Sequence, residues 1–310
     1  MKKTKIIMDV DPGHDDAIAI LLAASNPNIE LLGISVASGN QTIEKTSINT
    51  SNICHYLGID VPIAKGSPCP LIKEPMICEE IHGESGLDGF NFPTYEHKFD
   101  TRSGAELIVD TIINNDDVTV VTTGPLTNLA LAIRLEPKII NHIKEVVMMG
   151  GSIDYGNISP AAEFNILVDP EAAYIVFNSH LKIKMLGLNV TRKVLVLPEI
   201  IKRMSKINNK ASDLFTKLMK VFNENQRKVF GYEGAPLHDP ITIVSLIDKD
   251  AIKFKDMNVT IDISKGPSYG RTNCDVLDYL KAPHNASVAI DVDVKKYWDI
   301  IEEGLKRYDK

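Results

Sequence analysis

Residues 5–17 read Lys5-Ile6-Ile7-Met8-Asp9-Val10-Asp11-Pro12-Gly13-His14-Asp15-Asp16-Ala17. An apolar run of strand length meets a Pro-Gly turn, and a helical pattern over residues 15–25 follows at once. Four carboxylates fall within the eight positions 9–16, where strand gives way to helix. The Pro-Gly pair forces a turn and lets the backbone come close to whatever binds there. Carboxylates crowded in this way repel one another unless a cation lies between them. The stretch therefore predicts a hard, oxygen-liganded metal site at the carboxyl end of a first strand, residues 5–10.

Working outward, residues 29–36 form a second β-branched strand that ends in Ala37-Ser38-Gly39-Asn40. A helix over 42–57, stopped by Gly58, leads to a short third strand at 61–64. Periodicity fails from 66 to 101, a proline-rich loop region that contains His82-Gly83-Glu84-Ser85-Gly86. It resumes with a helix over 103–114 and a strand over 118–122, followed by Thr123-Gly124-Pro125-Leu126-Thr127-Asn128 and a helix to 135. A strand at 144–149 ends in Gly150-Gly151, a helix spans 169–177, and a strand spans 182–188. Residues 198–232 are mostly helical and are expected outside the sheet. His238-Asp239-Pro240 caps a helix over 241–247, strands lie near 258–263 and 286–292, and an amphipathic helix closes the chain at 295–308. The alternation predicts an α/β fold. The expected form is a Rossmann-like open, mostly parallel sheet with flanking helices, extra helices over the active-site face, and one domain across 1–310.

The composition narrows the function classes. With 44% hydrophobic and 24% charged residues, the 310-residue chain is ordinary for a globular protein. No apolar run approaches the roughly 20 residues that span a bilayer, and a secretory signal is not expected, since residues 1–4 run straight into a strand. The net charge of -7 argues against nucleic-acid and anionic-membrane partners. Lys202, Arg203, Lys206 and Lys210 read as a solvated helix face. Cys54, Cys69, Cys78 and Cys274 form no Cys-x-x-Cys pair, so zinc is not expected and a reduced, cytoplasmic setting fits best.

Five polar or glycine-rich segments fall at predicted strand ends: 11–16, 38–40, 123–128, 149–151 and 189–191. Ligands of open α/β sheets sit beyond those ends. The Asp9-x-Asp11 pair alone allows three readings. It can be a structural cap, the nucleophile pair of a haloacid-dehalogenase-type phosphatase, or the start of Asp-x-Asp-Pro-Gly-x-Asp-Asp-Ala. Pro12-Gly13 disfavours the phosphatase, and every fixed position of the third pattern is present.

With Gly39-Asn40-Gln41-Thr42, His82 to Gly86, Thr123 to Asn128, Met149-Gly150-Gly151, Glu163-Phe164-Asn165 and His238-Asp239-Pro240, the chain resembles the inosine-uridine preferring nucleoside N-ribohydrolases. That resemblance implies hydrolysis of a ribonucleoside to base and ribose by a calcium-activated water. It implies Ca²⁺ held by Asp11, Asp16, the Thr123 carbonyl and Asp239, with Asp11 also the general base. Asp239 carries a second reading as the N-cap of its helix, and both can hold. The ribose grip would come from Asp15, Asn40, Asn157, Glu163 and Asn165 with Met149 close by. Met149 reads equally as a buried strand residue, and Asn157 as a turn residue. Glu163 and Asn165, at alternate positions, would face the same way on an extended segment.

His238 would face the leaving base as its proton donor, and His82 would help to close the site. His14 reads as a helix-start residue and Asp9 as a supporting one. Gln226, Phe230 and Tyr232 are the expected base contacts; the amide of Gln226 suits a pyrimidine edge, with a purine-tolerant enzyme as the alternative. A non-catalytic nucleoside sensor is the third alternative. The resemblance also implies a homo-oligomer, either dimer or tetramer.

Overall fold

The computed structural model describes residues 3–309. Its strands are β1 (Thr4–Val10), β2 (Ile29–Val36), β3 (Ile63–Lys65), β4 (Val118–Thr122), β5 (Ile143–Met149), β6 (Ile183–Leu186), β7 (Leu195–Val196), β8 (Ala235–Pro236), β9 (Ile252–Met257), β10 (Val259–Ile261), β11 (Thr272–Cys274) and β12 (Ala286–Val292). Eight of them form one sheet in the order β3-β2-β1-β4-β5-β6-β12-β9. All neighbours pair in parallel except β12 with β9. The chain leaves β1 towards β2 and β3, then crosses back to build β4, β5 and β6 on the other side. The β1–β4 boundary is thus a topological switch point, where loops diverge and leave a crevice at the carboxyl ends.

The sequence of β1 explains its central place. Ile6, Met8 and Val10 pack into the core on one face of the sheet and Ile7 into the core on the other, all fully buried. A strand covered on both sides has no use for a polar face, hence the unbroken apolar run. The following helix, His14–Ser25, is buried from His14 to Ala23. It is wrapped by the helices Ile43–Leu57, Lys210–Phe230, Pro240–Ile247 and Val294–Lys306. The motif-bearing strand and helix are therefore the most enclosed part of the molecule, so the turn between them is held rigidly.

The mostly parallel sheet agrees with the expected architecture, with differences at several elements. The third strand is displaced from 61–64 to Ile63–Lys65 because the Pro62 carbonyl accepts from Ile34 N at 2.9 Å while proline has no amide to return. Residues 258–263 supply β10, which pairs with β11 in a separate ribbon, and the sheet edge is instead β9. Its Lys253, Lys255 and Asp256 obscure a strand pattern but suit an exposed edge. The strand expected over 182–188 stops at Leu186, and Leu188–Thr191 turns into a short helix. The 66–101 region is irregular as expected, apart from the helical turn Glu79–His82. Arg203 is not simply a solvated residue, since it bonds Asp299 at 2.6 Å and also Glu302, docking the closing helix.

Asp9 has a structural role. Asn128, at the start of the helix after β4, donates from Nδ2 to Asp9 Oδ1 at 2.9 Å, Ser35 Oγ at 3.2 Å and the Val36 carbonyl at 3.0 Å. Its Oδ1 accepts from Ser67 N at 2.9 Å. One amide thus ties the ends of β1 and β2 to the helix that follows β4. Replacing Asn128 with leucine would strand several buried polar atoms, and a loss of about 3 kcal/mol in urea unfolding is expected. An unchanged midpoint would refute this role.

Candidate active site

The turn after β1 places Asp11, Asp15 and Asp16 at the crevice, all buried. Asp16, in the first turn of its helix, accepts from Gly13 N at 3.1 Å and Asp11 N at 3.3 Å. It also accepts from the Thr123 hydroxyl at 2.6 Å, which joins the end of β4 to the turn. From the end of β2, Asn40 N donates to Asp11 Oδ2 at 2.7 Å. Asn40 Nδ2 reaches the Asp11 carbonyl at 3.1 Å and Asp16 Oδ2 at 3.2 Å. Position 124 must be glycine, because a Cβ there would overlap the Asp11 carboxylate.

The donors fit a hard divalent cation. Asp15, Asp16 and Asp239 each bring a carboxylate oxygen within 4.8 Å of the others. Asp11 Oδ1 is buried without a partner. Asp239 occupies the N-cap position of Pro240–Ile247, yet its side chain makes no cap hydrogen bond. The capping part of that expectation is corrected: the carboxylate is committed to the cluster. The convergent trio includes Asp15, which the sequence reading gave to the sugar, while Asp11 stands beside it. Burial, then repulsion from Asp16, pushes the Asp11 carboxyl well above its usual range, and burial with repulsion from Asp15, Asp16 and Asp11 does the same to Asp239. Burial and Asp16 lift Asp15 to about 7. Such a cluster ionises fully only with positive charge in its midst.

A cavity opens beside the carboxylates. Its wall includes Asp15, Asn40, His82, Thr123, Met149, Asn157, Glu163, Asn165, Gln226, Phe230, His238 and Asp239. The sequence-predicted residues from distant segments are therefore brought together, with Asp11 and Asp16 just behind them.

Glu163 and Asn165 do not lie on an extended segment. Glu163 is the N-cap of the helix Phe164–Val168 and accepts from the amides of Asn165, at 2.9 Å, and Ile166, at 3.2 Å, as well as Gly151, at 2.9 Å. The Glu-x-Asn spacing is a capping turn, whose sequence signature the strand reading overlooked. Asn165 Nδ2 donates to the carbonyls of Thr123, at 2.7 Å, and Met149, at 3.2 Å, and touches Met149 Sδ at 3.6 Å. Asn157 Oδ1 accepts from Phe164 N at 2.9 Å. These commitments leave amide oxygens of Asn40 and Asn165 as acceptors and Asn157 Nδ2 as a donor. That mixture suits hydroxyls, which both donate and accept. Met149 is both things at once, a nearly buried strand end that lines the cavity.

His238 Nδ1 pairs with the Thr191 hydroxyl at 2.7 Å, and burial lowers its pKa to about 3. The resting imidazole is thus neutral. His82 is not a solvated loop residue but a buried one, stacked at 5.4 Å on His14 and 5.5 Å on Phe222. Its Nδ1 accepts from His14 N at 3.2 Å, and its ring fills the space a side chain on Gly13 would need. His14 starts the helix as expected, but it also anchors to the Asp88 carbonyl at 2.8 Å and so packs the irregular region against the motif. Gln226 is buried with Oε1 unpartnered, and Phe230 is half exposed at the rim, beside Tyr232. The sequence reading missed Cys78, Ile81, Ile158, Phe164 and Phe222 in the wall. Phe222 alone left a signal, one helical turn before Gln226 and two before Phe230.

The model of the inosine-uridine preferring nucleoside hydrolase family matches residues 6–299, and the chain belongs to that family. It is an enzyme that hydrolyses ribonucleosides to base and ribose, which sets aside the phosphatase and sensor readings. Among individual relatives, it is 43% identical to the pyrimidine-specific ribonucleoside hydrolase RihB of Escherichia coli K12, over all of this chain and 99% of that one. Its structure resembles the purine-preferring ribonucleoside hydrolase of Gardnerella vaginalis with a TM-score of 0.91 at 30% identity, covering 98% of this chain and 99% of that one. A plant nucleoside hydrolase, PpNRh1, matches at TM-score 0.91 and 26% identity over 98% of this chain and 99% of its own.

The cluster makes stability depend on pH. Asp9, Asp15 and Glu163 are each raised to about 7 in the folded state, and Asp11, Asp16 and Asp239 are raised too. Below about 7 the native carboxyls therefore hold protons that the unfolded chain has released. The buried His14, His82 and His238, lowered from 6.5, act in the opposite sense but are fewer. Stability of the metal-stripped protein should therefore fall as pH rises from about 4 through about 7. A saturating divalent cation should oppose that fall, because it binds the ionised cluster. Melting curves between pH 5 and pH 8, with and without chelator, check both slopes; a chelated protein that grew more stable with pH would contradict the electrostatics.

Proposed function

We propose that this enzyme prefers pyrimidine ribonucleosides and works with Ca²⁺. The observation that carries the reading is the convergence of the Asp cluster with a hydroxyl-binding amide wall and the unpartnered Gln226 Oε1 in one cavity. The donors are all oxygen, which suits Ca²⁺, with Asp11, Asp16, Asp239 and the Thr123 carbonyl as the ligands. When bound, the cation supplies positive charge that acidifies and orients water and ribose hydroxyls.

The chain's own residues then divide the work. Asp11, pinned through Oδ2 by the Asn40 amide, takes a proton at Oδ1 from the attacking water. Water oxygen bonds to the anomeric carbon, and the N-glycosidic bond breaks with its electron pair passing to the base. The sugar passes through an oxocarbenium-like state, which the nearby carboxylates favour. Asp15, Asn40, Asn157, Glu163 and Asn165 orient the ribose, with Met149 beneath it. His238, held by Thr191, donates an N–H to the departing base as negative charge builds there, which a neutral imidazole can do. His82 closes the wall, and Phe230 stacks at the rim.

Gln226 offers both an acceptor and a donor to a base edge, as the paired imide or amidine groups of uracil and cytosine require. The similarity to a pyrimidine-specific relative supports this preference, although a purine-preferring relative shares the fold. We also propose a cytoplasmic setting, on the pattern of its cysteines, and by family resemblance a dimer or tetramer, for which sedimentation is the check. Among the described residues, no helix is long and apolar enough to cross a membrane.

Reducing sugar released from uridine, cytidine and inosine, with chelator and then with added Ca²⁺, Mg²⁺ or Zn²⁺, tests the reading. Turnover of the two pyrimidine nucleosides should exceed that of inosine and return best with Ca²⁺. Equal use of inosine would end the pyrimidine proposal, and turnover indifferent to chelation would end the calcium one. Asp11→Asn should lower kcat about 10³-fold with the fold intact, and a wild-type rate would remove Asp11 as the base. Gln226→Leu should cost pyrimidine kcat/KM about tenfold, and no loss would separate Gln226 from base recognition.

A further inference from the structure

The wall of the cavity is not equally supported on all sides. Asn40 is tied to Asp11 and Asp16, and Glu163 and Asn165 open the helix Phe164–Val168, but Asn157 stands at the tip of an irregular segment between β5 and that helix. The tip is held mainly by bonds to its own segment, Gly156 N to the Pro160 carbonyl and Asn157 N to the Ala162 carbonyl, both at 3.2 Å. No backbone amide among the described residues reaches the carbonyls of Tyr155 or Gly156.

Arg192 takes both. Its Nη1 donates to the Tyr155 carbonyl at 3.1 Å and its Nη2 to the Gly156 carbonyl at 2.6 Å. The same guanidinium lies 3.9 Å from the centre of the Tyr155 ring, which is otherwise exposed. Only a planar fork can serve two successive carbonyls and a ring face together. Arg192 closes the helical turn Leu188–Thr191 beyond β6, and its neighbour Thr191 holds His238. One rigid turn at a strand end thus reaches both sides of the cavity.

We propose that Arg192 is a positioning residue, a guanidinium clamp that fixes the Tyr155-Gly156 tip and so presents Asn157 Nδ2 to the ribose. It touches no reacting atom, and the inference rests on the reading that Asn157 grips the sugar. A tip without its clamp must be ordered by the substrate itself, which weakens binding more than it slows the chemistry. The position of Arg192 just outside the cavity explains why no motif contains it.

Steady-state kinetics on the best ribonucleoside substrate, with Arg192→Ala, Arg192→Lys, Asn157→Ala and the Arg192→Ala/Asn157→Ala double variant, provide the test. Arg192→Ala and Arg192→Lys should both raise KM about tenfold, with kcat within about twofold of wild type and the melting temperature unchanged. The double variant should be no worse than Asn157→Ala, because the clamp acts through that residue. Full rescue by Arg192→Lys, additive effects in the double variant, or a wild-type KM in Arg192→Ala beside a raised KM in Asn157→Ala would each overturn the clamp. A wild-type KM in Asn157→Ala would instead refute the ribose contact, and the clamp with it. A kcat loss that tracked a lower melting temperature in both Arg192 variants would mark the residue as merely structural and also overturn the proposal.

Discussion

Burying several carboxylates in one place is the constraint on which this structure turns. Raising a fully buried carboxyl from 3.8 to about 7, as at Asp15, corresponds to roughly 4 kcal/mol against its ionised form. Such a burden is tolerable only where backbone amides and a cation can answer it. The fold supplies the amides by ending β1, β2 and β4 side by side, so that the Asn40 and Gly13 amides and the Thr123 hydroxyl aim at the same acids. The switch point is what makes room for the cation, since no crossover loop covers it.

A second layer stiffens that arrangement from outside. The stacked rings of His14, His82 and Phe222 join the motif turn, the irregular region and the long helix Lys210–Phe230. Asn128 does the same work below the site by binding the ends of β1 and β2. The clustered acids thus rest on a frame whose parts come from across the chain, and the cavity beside them inherits its shape from that frame.

Much of this was legible in sequence because chemistry and fold share the same punctuation. Apolar runs that give way at Asp11, Ser38, Thr123 and Gly150 mark strand ends, and ligands of parallel sheets gather there. Legibility failed where tertiary context outweighed local pattern. The charged β9 is a strand only because β12 offers it an edge. Glu163 looked like one side of an extended alternation, but its carboxylate finds two amides of its own helix and caps it. His82 is expected to help close the site, but nothing local announces the rings of His14 and Phe222 that bury it. Arg192 lies in no motif at all, since its partners are backbone carbonyls that any residues could supply.

The spread of the acids along the chain also bears on synthesis. Asp11 and Asp16 emerge from the ribosome early, whereas Asp239 follows most of the sheet and the long helix. On the proposed ligand set, the first two acids cannot be closed over a cation until that last acid is made, and the helix His14–Ser25 that carries Asp16 still lacks its packing partner Val294–Lys306. If those acids hold the cation as proposed, its capture is a late event in the life of each chain, and an amino-terminal fragment that stops before Asp239 lacks one of the acids needed for it.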